Sequence, residues 1–223
     1  MNDKERVAKH AAKSVQNGML VGLGTGSTAN YFIQELARRI KDDGLQVTAV
    51  ASSVVSMLKA QSLGLPLIAI EHIQHLDLYV DGADEVTPEN TLLKGQGADL
   101  VKEKLLARSS RQFIVLVDQT KMVTRIGEKF AIPIEVMPFA WQLVKKQLEE
   151  HGGQGELRQS GNGLAVSSYG SLILDMAFPM SIDAGQLDVM LNNMPGVVEH
   201  GIFRNLASVV LLAENGDVQE IKA

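Results

Sequence analysis

Four short segments carry the residue types that moving a proton on a small anionic substrate requires. Asp81-Gly82-Ala83-Asp84-Glu85 packs three carboxylates into five positions, Lys94-Gly95-Gln96-Gly97 sets an ammonium in a glycine-rich loop, Glu103 follows on a predicted helix, and Gly22-Leu23-Gly24-Thr25-Gly26-Ser27-Thr28 combines glycines with hydroxyls. A carboxylate whose pKa lies near neutrality can take a proton from carbon, and a fixed ammonium can stabilise the oxyanion left behind. Glu103 shares its helix face with Leu100 and Ala107, has no basic residue three or four positions away, and has Asp99 four positions before it. Partial burial and that like charge are expected to raise its pKa. A solvated helix carboxylate is the alternative. Lys94 suits an enediolate oxyanion and equally suits pairing with Asp81 or Asp84, and one lysine can do both. Asp118-Gln119-Thr120-Lys121 follows a predicted strand, which assigns Lys121 to phosphate or substrate charge.

The glycine-hydroxyl segment lies between a strand and a strong helix, where backbone N–H groups and the helix dipole form an anion site, and where Thr25, Gly26, Ser27 and Thr28 can hold a phosphate. The alternative is a tight turn capped by Ser27 or Thr28. A dinucleotide fingerprint fails, because Ser27 stands at the third-glycine position of G-x-G-x-x-G and no Asp or Glu lies between Gly44 and Ile70. No Gly-Lys-Ser or Gly-Lys-Thr follows, so a Walker loop fails too.

These segments need a scaffold that brings strand ends together. From Met19 to Asp118 the hydrophobic period alternates between short β-rich runs and helical stripes, which predicts a doubly wound, mostly parallel, Rossmann-like α/β sheet. Strands are expected at Met19 to Leu23, Val47 to Ala51, Leu67 to Ile70, Leu78 to Val80 and Phe113 to Val117. Helices are expected along the stripe Phe32, Ile33, Leu36, Ala37 and Ile40, near Val54 to Leu63, and near Ala98 to Arg108. After Arg125 the order becomes β-α-β-β-α-β: Ile132 to Val136, Ala140 to Glu150, Glu156 to Gln159, Leu172 to Met176, Asp183 to Asn193, Val197 to Ile202. That is a small ferredoxin-like α+β domain. The apolar run Ala207 to Leu212 returns as a buried strand, so the expected boundaries are 1–126 plus 203–223 for a catalytic α/β domain and 127–202 for the second.

The chain has 223 residues, no cysteine and a net charge of -5. That excludes thiol chemistry and a broad basic footprint for nucleic acid or anionic lipid, and it fits a reducing compartment. The charged start Asn2-Asp3-Lys4-Glu5-Arg6 and the lack of a long apolar run lead to the expectation of a soluble, cytoplasmic protein that contacts no membrane. His72 and His75 lack companions for a metal site, so none is expected.

Taken in order, Gly24 to Thr28, Asp81 to Glu85, the Lys94 loop with Glu103, and Asp118 with Lys121 resemble the motifs of the type A ribose-5-phosphate isomerases. The resemblance extends over nearly the whole chain, through Pro133 to Pro138, Leu157-Arg158-Gln159 and Asn193 to Val198. It implies conversion of D-ribose 5-phosphate to D-ribulose 5-phosphate in the non-oxidative pentose phosphate pathway, with no cofactor, in a homodimer or homotetramer. It also implies Glu103 as the base, Asp81 as an aid to ring opening or hydroxyl proton transfer, and substrate contacts from Thr25, Gly26, Ser27 and Thr28, from Asp81, Gly82, Ala83 and Asp84, from Lys94, Gly95, Gln96 and Gly97, and from Lys121. Gln96, Asp99 and Tyr169 depart from the family's usual residues. A paralogue acting on another sugar phosphate and a non-catalytic sugar-phosphate sensor are the alternatives.

Overall fold

The computed structural model describes residues 2–214 and 216–222. Along the chain run α1 (Asp3–Ala12), β1 (Leu20–Leu23), α2 (Ser27–Asp42), β2 (Thr48–Ala51), α3 (Val54–Ser62), β3 (Leu76–Gly82), β4 (Glu85–Val86), β5 (Leu92–Leu93), α4 (Leu100–Ser109) and β6 (Ser110–Asp118). There follow β7 (Ile132–Val136), α5 (Trp141–Glu150), β8 (Gln154–Leu157), β9 (Gln159–Ser160), β10 (Gly163–Leu164), β11 (Leu172–Ala177), α6 (Ala184–Asn192), β12 (Val197–His200), β13 (Ile202–Phe203), β14 (Val209–Glu214) and β15 (Asp217–Lys222). They form two compact units: Met1–Ala83 with Lys102–Lys121 and Asn205–Ala223, and Asp84–Val101 with Met122–Arg204. Residues 84–101, 122–126 and 203–204 therefore group with the second unit, whereas the expected boundaries place them in the first.

The first unit is built on a six-stranded sheet in the order β15-β14-β6-β3-β1-β2, parallel except for the β14–β15 hairpin. Alternate residues of the central strands face a core with α1 and α2: Val21, Leu23, Leu78, Val80, Ile114 and Leu116 pack with Val7, Ala11, Phe32 and Leu36. Residues such as Tyr79 and Phe113 occupy the opposite parity, are also buried, and stack with ring centroids 4.8 Å apart. Burial on both faces accounts for the unbroken apolar runs of these strands.

Three elements differ from the sequence expectation. Leu67 to Ile70 is not a strand: one bridge ties Leu67 to Ala49 before a 3-10 turn at Ile70–His72. Pro66 precedes it, and a segment that offers only a single bridge to edge strand β2 has no ladder to extend. α1 was hidden in the charged start, although Asn2 caps it by accepting from Glu5 N–H and Val7, Ala8, Ala11 and Ala12 form its buried stripe. β15 was hidden because this edge strand is exposed at four of its six positions and carries mostly polar residues.

The second unit carries the expected β-α-β-β-α-β order as an antiparallel sheet arranged β12-β7-β11-β8, which is the ferredoxin-like arrangement, with the short β9–β10 hairpin inserted before β11. Its own core joins Ile134, Val136, Leu174 and Met176 of the sheet to Val144 and Leu148 of α5 and Leu187 and Leu191 of α6. A small three-stranded sheet, β13-β5-β4, completes it. Among the described residues no helix is long and apolar enough to cross a membrane.

Candidate functional site

Because β1, β3 and β6 are parallel neighbours, the chain leaves all three at one edge of the sheet, so the segments after Leu23, around Asp81 and after Asp118 share the carboxyl side where open α/β sheets bind ligands. Asp81 is fully buried there and organises its surroundings through its oxygens. Oδ1 accepts from the N–H groups of Thr25 at 3.0 Å and Gly82 at 2.7 Å, and Oδ2 accepts from the Tyr79 hydroxyl at 2.5 Å. Gly24 must lack a side chain for this to happen, since a Cβ on it would lie 2.1 Å from Asp81 Oδ1.

The next residue extends the network. Thr25 Oγ1 donates to Ser53 Oγ at 2.7 Å and lies 2.9 Å from Ser52 Oγ, while Ser53 caps α3 through a reciprocal box with Ser56. Gly26, at φ 109°, turns the chain into α2, and among the described residues no side chain caps that helix. Its first-turn N–H groups therefore remain available to an anion, and the alternative of a hydroxyl cap from Ser27 or Thr28 is not what forms. Ser27 Oγ instead accepts from Lys4 Nζ at 2.8 Å, and both residues line a depression with Tyr31, Asp118 and Thr120. Lys4 escaped the sequence reading along with the helix that carries it; its signal was the capped amphipathic start of α1.

Glu103 sits on α4 and is 4 % exposed, so the solvated alternative does not hold. It is close enough to act on the Tyr79 phenol, whose pKa rises well above its ordinary value through burial first and then through the negative charges of Asp81 and Glu103. Tyr79 is therefore held as a proton donor, and the structure brings Glu103, Tyr79, Asp81 and the Thr25 hydroxyl cluster into one unit. Tyr79 was not singled out from sequence because its apolar ring reads as strand core. Lys121 is half-buried at the end of a 3-10 turn after β6, which Asp118 shapes by accepting from Thr120 N–H at 3.0 Å.

The second unit holds Asp84 and the lysine loop. Asp84 N–H donates to Leu93 O at 2.8 Å, and Asp84 Oδ2 receives a long contact from Gln96 N at 3.4 Å. Lys94 is 4 % exposed, its N–H donates to Gly201 O at 2.9 Å, and its Nζ stands 5.7 Å from the centroid of the Phe203 ring, within reach of a cation–π attraction. Gly95 adopts φ 106° and Gln96 and Gly97 are exposed, so the side chain of Gln96 adds no bulk to the buried part of the loop. Glu85, last of the acidic run, is structural: its oxygens accept from the N–H groups of Gly127 at 2.7 Å, Lys129 at 2.6 Å and Phe130 at 2.8 Å. No group of three or more His, Cys, Asp or Glu among the described residues is arranged to hold a metal ion.

A family model described as Ribose 5-phosphate isomerase A (phosphoriboisomerase A) matches residues 48–217. The chain is 44% identical over 215 residues to ribose-5-phosphate isomerase A of Prochlorococcus marinus (strain NATL1A), covering 95% of this chain and 91% of that one. It is 40% identical over 222 residues to the Thermococcus kodakarensis protein of the same name, covering 98% and 97%. Among solved structures, ribose 5-phosphate isomerase A of Methanocaldococcus jannaschii superposes with a TM-score of 0.94 at 38% identity, covering 99% and 98%. A D-ribose-5-phosphate isomerase in complex with phospho-erythronic acid superposes with a TM-score of 0.96 at 36% identity over 100% of both chains.

Proposed function

Since the chain belongs to the ribose 5-phosphate isomerase A family, we propose that it interconverts D-ribose 5-phosphate and D-ribulose 5-phosphate through an enediolate, with Glu103 as the base. The observation that carries the assignment of the base is a buried carboxylate on α4, close to a tyrosine–aspartate pair at the ligand edge of a parallel sheet. Glu103 takes the C2 proton of the open-chain aldose as the electron pair passes to the C1 carbonyl oxygen; a proton is then delivered to C1 while the O2 hydroxyl proton is transferred to O1, leaving the ketone at C2. Lys94 is assigned to the charge that develops on oxygen. The phosphate is assigned to the start of α2 with Thr25, Gly26, Ser27 and Thr28, and its charge to Lys4 and Lys121. Gly82, Ala83, Asp84 and Gly95 to Gly97 are assigned to the sugar.

Asp81 is assigned to ring opening or hydroxyl proton transfer, and its bonds to Thr25 and Gly82 give it a second task, fixing the first peptide of the phosphate loop. Phospho-erythronic acid is a carboxylate on a short phosphorylated polyol, the charge pattern of an enediolate, and it is expected to compete with substrate here. Joint retention of Glu103 and Lys94 disfavours a sensor. We assign the reaction to the non-oxidative pentose phosphate pathway, in the cytoplasm, in a homodimer or homotetramer, without a cofactor.

The test is isomerisation of D-ribose 5-phosphate by chelator-treated protein beside Glu103→Gln. Wild-type activity that survives chelation, with a drop of roughly 10²–10⁴-fold in the variant, supports the reading. Normal turnover in Glu103→Gln removes the base assignment.

A further inference from the structure

Two carbonyls of the lysine loop point at one guanidinium. Arg158, just after β8, donates through Nη1 to Gly95 O at 2.8 Å and to Gln96 O at 3.0 Å. Its other side is fixed: Nε and Nη2 form a two-pronged pair with Asp175 of β11, at 2.8 Å and 2.6 Å, and its side chain is only 13% exposed. A planar fork locked on one edge by a carboxylate has no freedom left at the other, so it can set the position of whatever accepts from it.

The loop requires such help. Gly95 at φ 106° and Ala98 at φ 63° both lie in the left-handed region, which for alanine carries a cost. Within the turn, Ala98 N–H donates to Gly95 O at 3.1 Å, an acceptor that Arg158 also occupies. Farther along, Asp99 Oδ1 accepts from Ser168 Oγ at 2.5 Å, so the loop is held at both ends by segments flanking β8 and β11. At its start the Lys94 carbonyl passes so near Gly201 that a Cβ there would come within 2.3 Å of it.

We propose that Arg158, locked by Asp175, is a positioning residue for the isomerase: it clasps the Gly95 and Gln96 carbonyls and thereby sets the placement of Lys94. This rests on Lys94 acting in the reaction, as assigned above. Arg158 itself touches no reacting atom. Its loss therefore acts on the transition state through Lys94, lowering kcat and kcat/KM together with KM little changed.

Arg158→Ala, Arg158→Lys and Glu103→Gln are compared with wild type by steady-state kinetics, and amide hydrogen exchange is followed across 94–98. Arg158→Ala is expected to lose about 10²-fold in kcat, to exchange faster at 94–98, and to regain part of its turnover when guanidinium ion is added at concentrations that do not unfold it. Arg158→Lys keeps the charge without the fork, carries both readouts if the alanine variant does not fold, and is expected to fall between. Turnover within about twofold of wild type in the folded arginine variants, a loss of about tenfold being 1.4 kcal/mol, overturns the proposal, and so does unchanged exchange at 94–98. A failure of the underlying isomerase reading shows elsewhere, as an inactive wild type or a fully active Glu103→Gln, and the exchange measurement then decides the clasp on its own.

Discussion

The two units fix their polar residues by different means. In the first, a carboxylate is the hub: Asp81 gathers Thr25 N–H, Gly82 N–H and the Tyr79 hydroxyl, and the parallel strands beneath deliver these groups to one edge. In the second, a cation is the hub: Arg158 gathers the carbonyls of a loop that belongs to no strand. A sheet edge positions groups through backbone register and needs a glycine only where a side chain passes close, whereas a free loop needs left-handed residues and a clasp. The first arrangement should fail sharply when packing is disturbed, and the second should loosen by degrees.

Gly24→Ala gives the strongest test of that contrast. The added Cβ would meet Asp81 Oδ1 at 2.1 Å and Cγ at 2.2 Å, atoms already committed to three donors, so either the loop or the carboxylate must move. A displacement near 1 Å is expected to cost about 10²-fold in kcat/KM, with a loss of about 1–3 kcal/mol in stability from overpacking. Near-normal kinetics would show that Asp81 does not depend on this close approach. Gly95→Ala is the counterpart in the loop. There φ 106° disfavours alanine and the new Cβ would lie 2.2 Å from Leu100 Cδ2, but a leucine tip can swing aside as a hydrogen-bonded carboxylate cannot. The expected loss is about tenfold in turnover, equivalent to 1.4 kcal/mol. If Gly95→Ala proves the more damaging of the two, the contrast is reversed.

The same distinction explains what sequence could show. Strand-to-helix alternation, the glycine-hydroxyl loop and the acidic run at the end of β3 were legible because each is local: period, turn chemistry and strand end lie within a few residues. The ferredoxin-like order of β7 to β12 was legible for the same reason. Lys4, Tyr79 and Arg158 were not, because their partners lie 23, 2 and from 17 to 63 residues away and a side chain's direction must be known before any of the three can be matched to its partner. Leu67 to Ile70 misled because β-branched and apolar content describes what suits a strand, while a strand also needs a neighbour with a free edge and a run of donors to share.

Tyr79→Phe removes one donor from Asp81 and leaves the ring stack with Phe113 intact. A hydrogen bond to a charged acceptor is worth about 1.5–3 kcal/mol, so the denaturant midpoint should fall, while Thr25 and Gly82 N–H groups keep Asp81 in place and turnover should drop only a few-fold. A loss as large as that of Glu103→Gln would move Tyr79 from support to chemistry.

The smallest effect should come from Glu135, which is bonded to neither hub. It lies on β7 with 1% of its surface exposed and accepts from Ser167 Oγ at 2.7 Å. Burial pushes its carboxyl up, the hydroxyls of Ser167 and Ser171 oppose the rise, and the negative charge of Asp99 adds to it. The folded protein therefore binds the Glu135 proton more tightly than the unfolded chain, whose glutamates titrate near about 4.3. That contribution to stability is fully present below this value and is lost as pH rises through the higher folded pKa. Glu135→Gln keeps the acceptor for Ser167 and has no proton to lose, so its stability relative to wild type should increase with pH across that window and level off above it, as thermal melts taken from about pH 4 to 8 would record. A constant difference over the range would mean that Glu135 titrates in the folded unit as it does in the unfolded chain, the hydroxyls of Ser167 and Ser171 offsetting its burial.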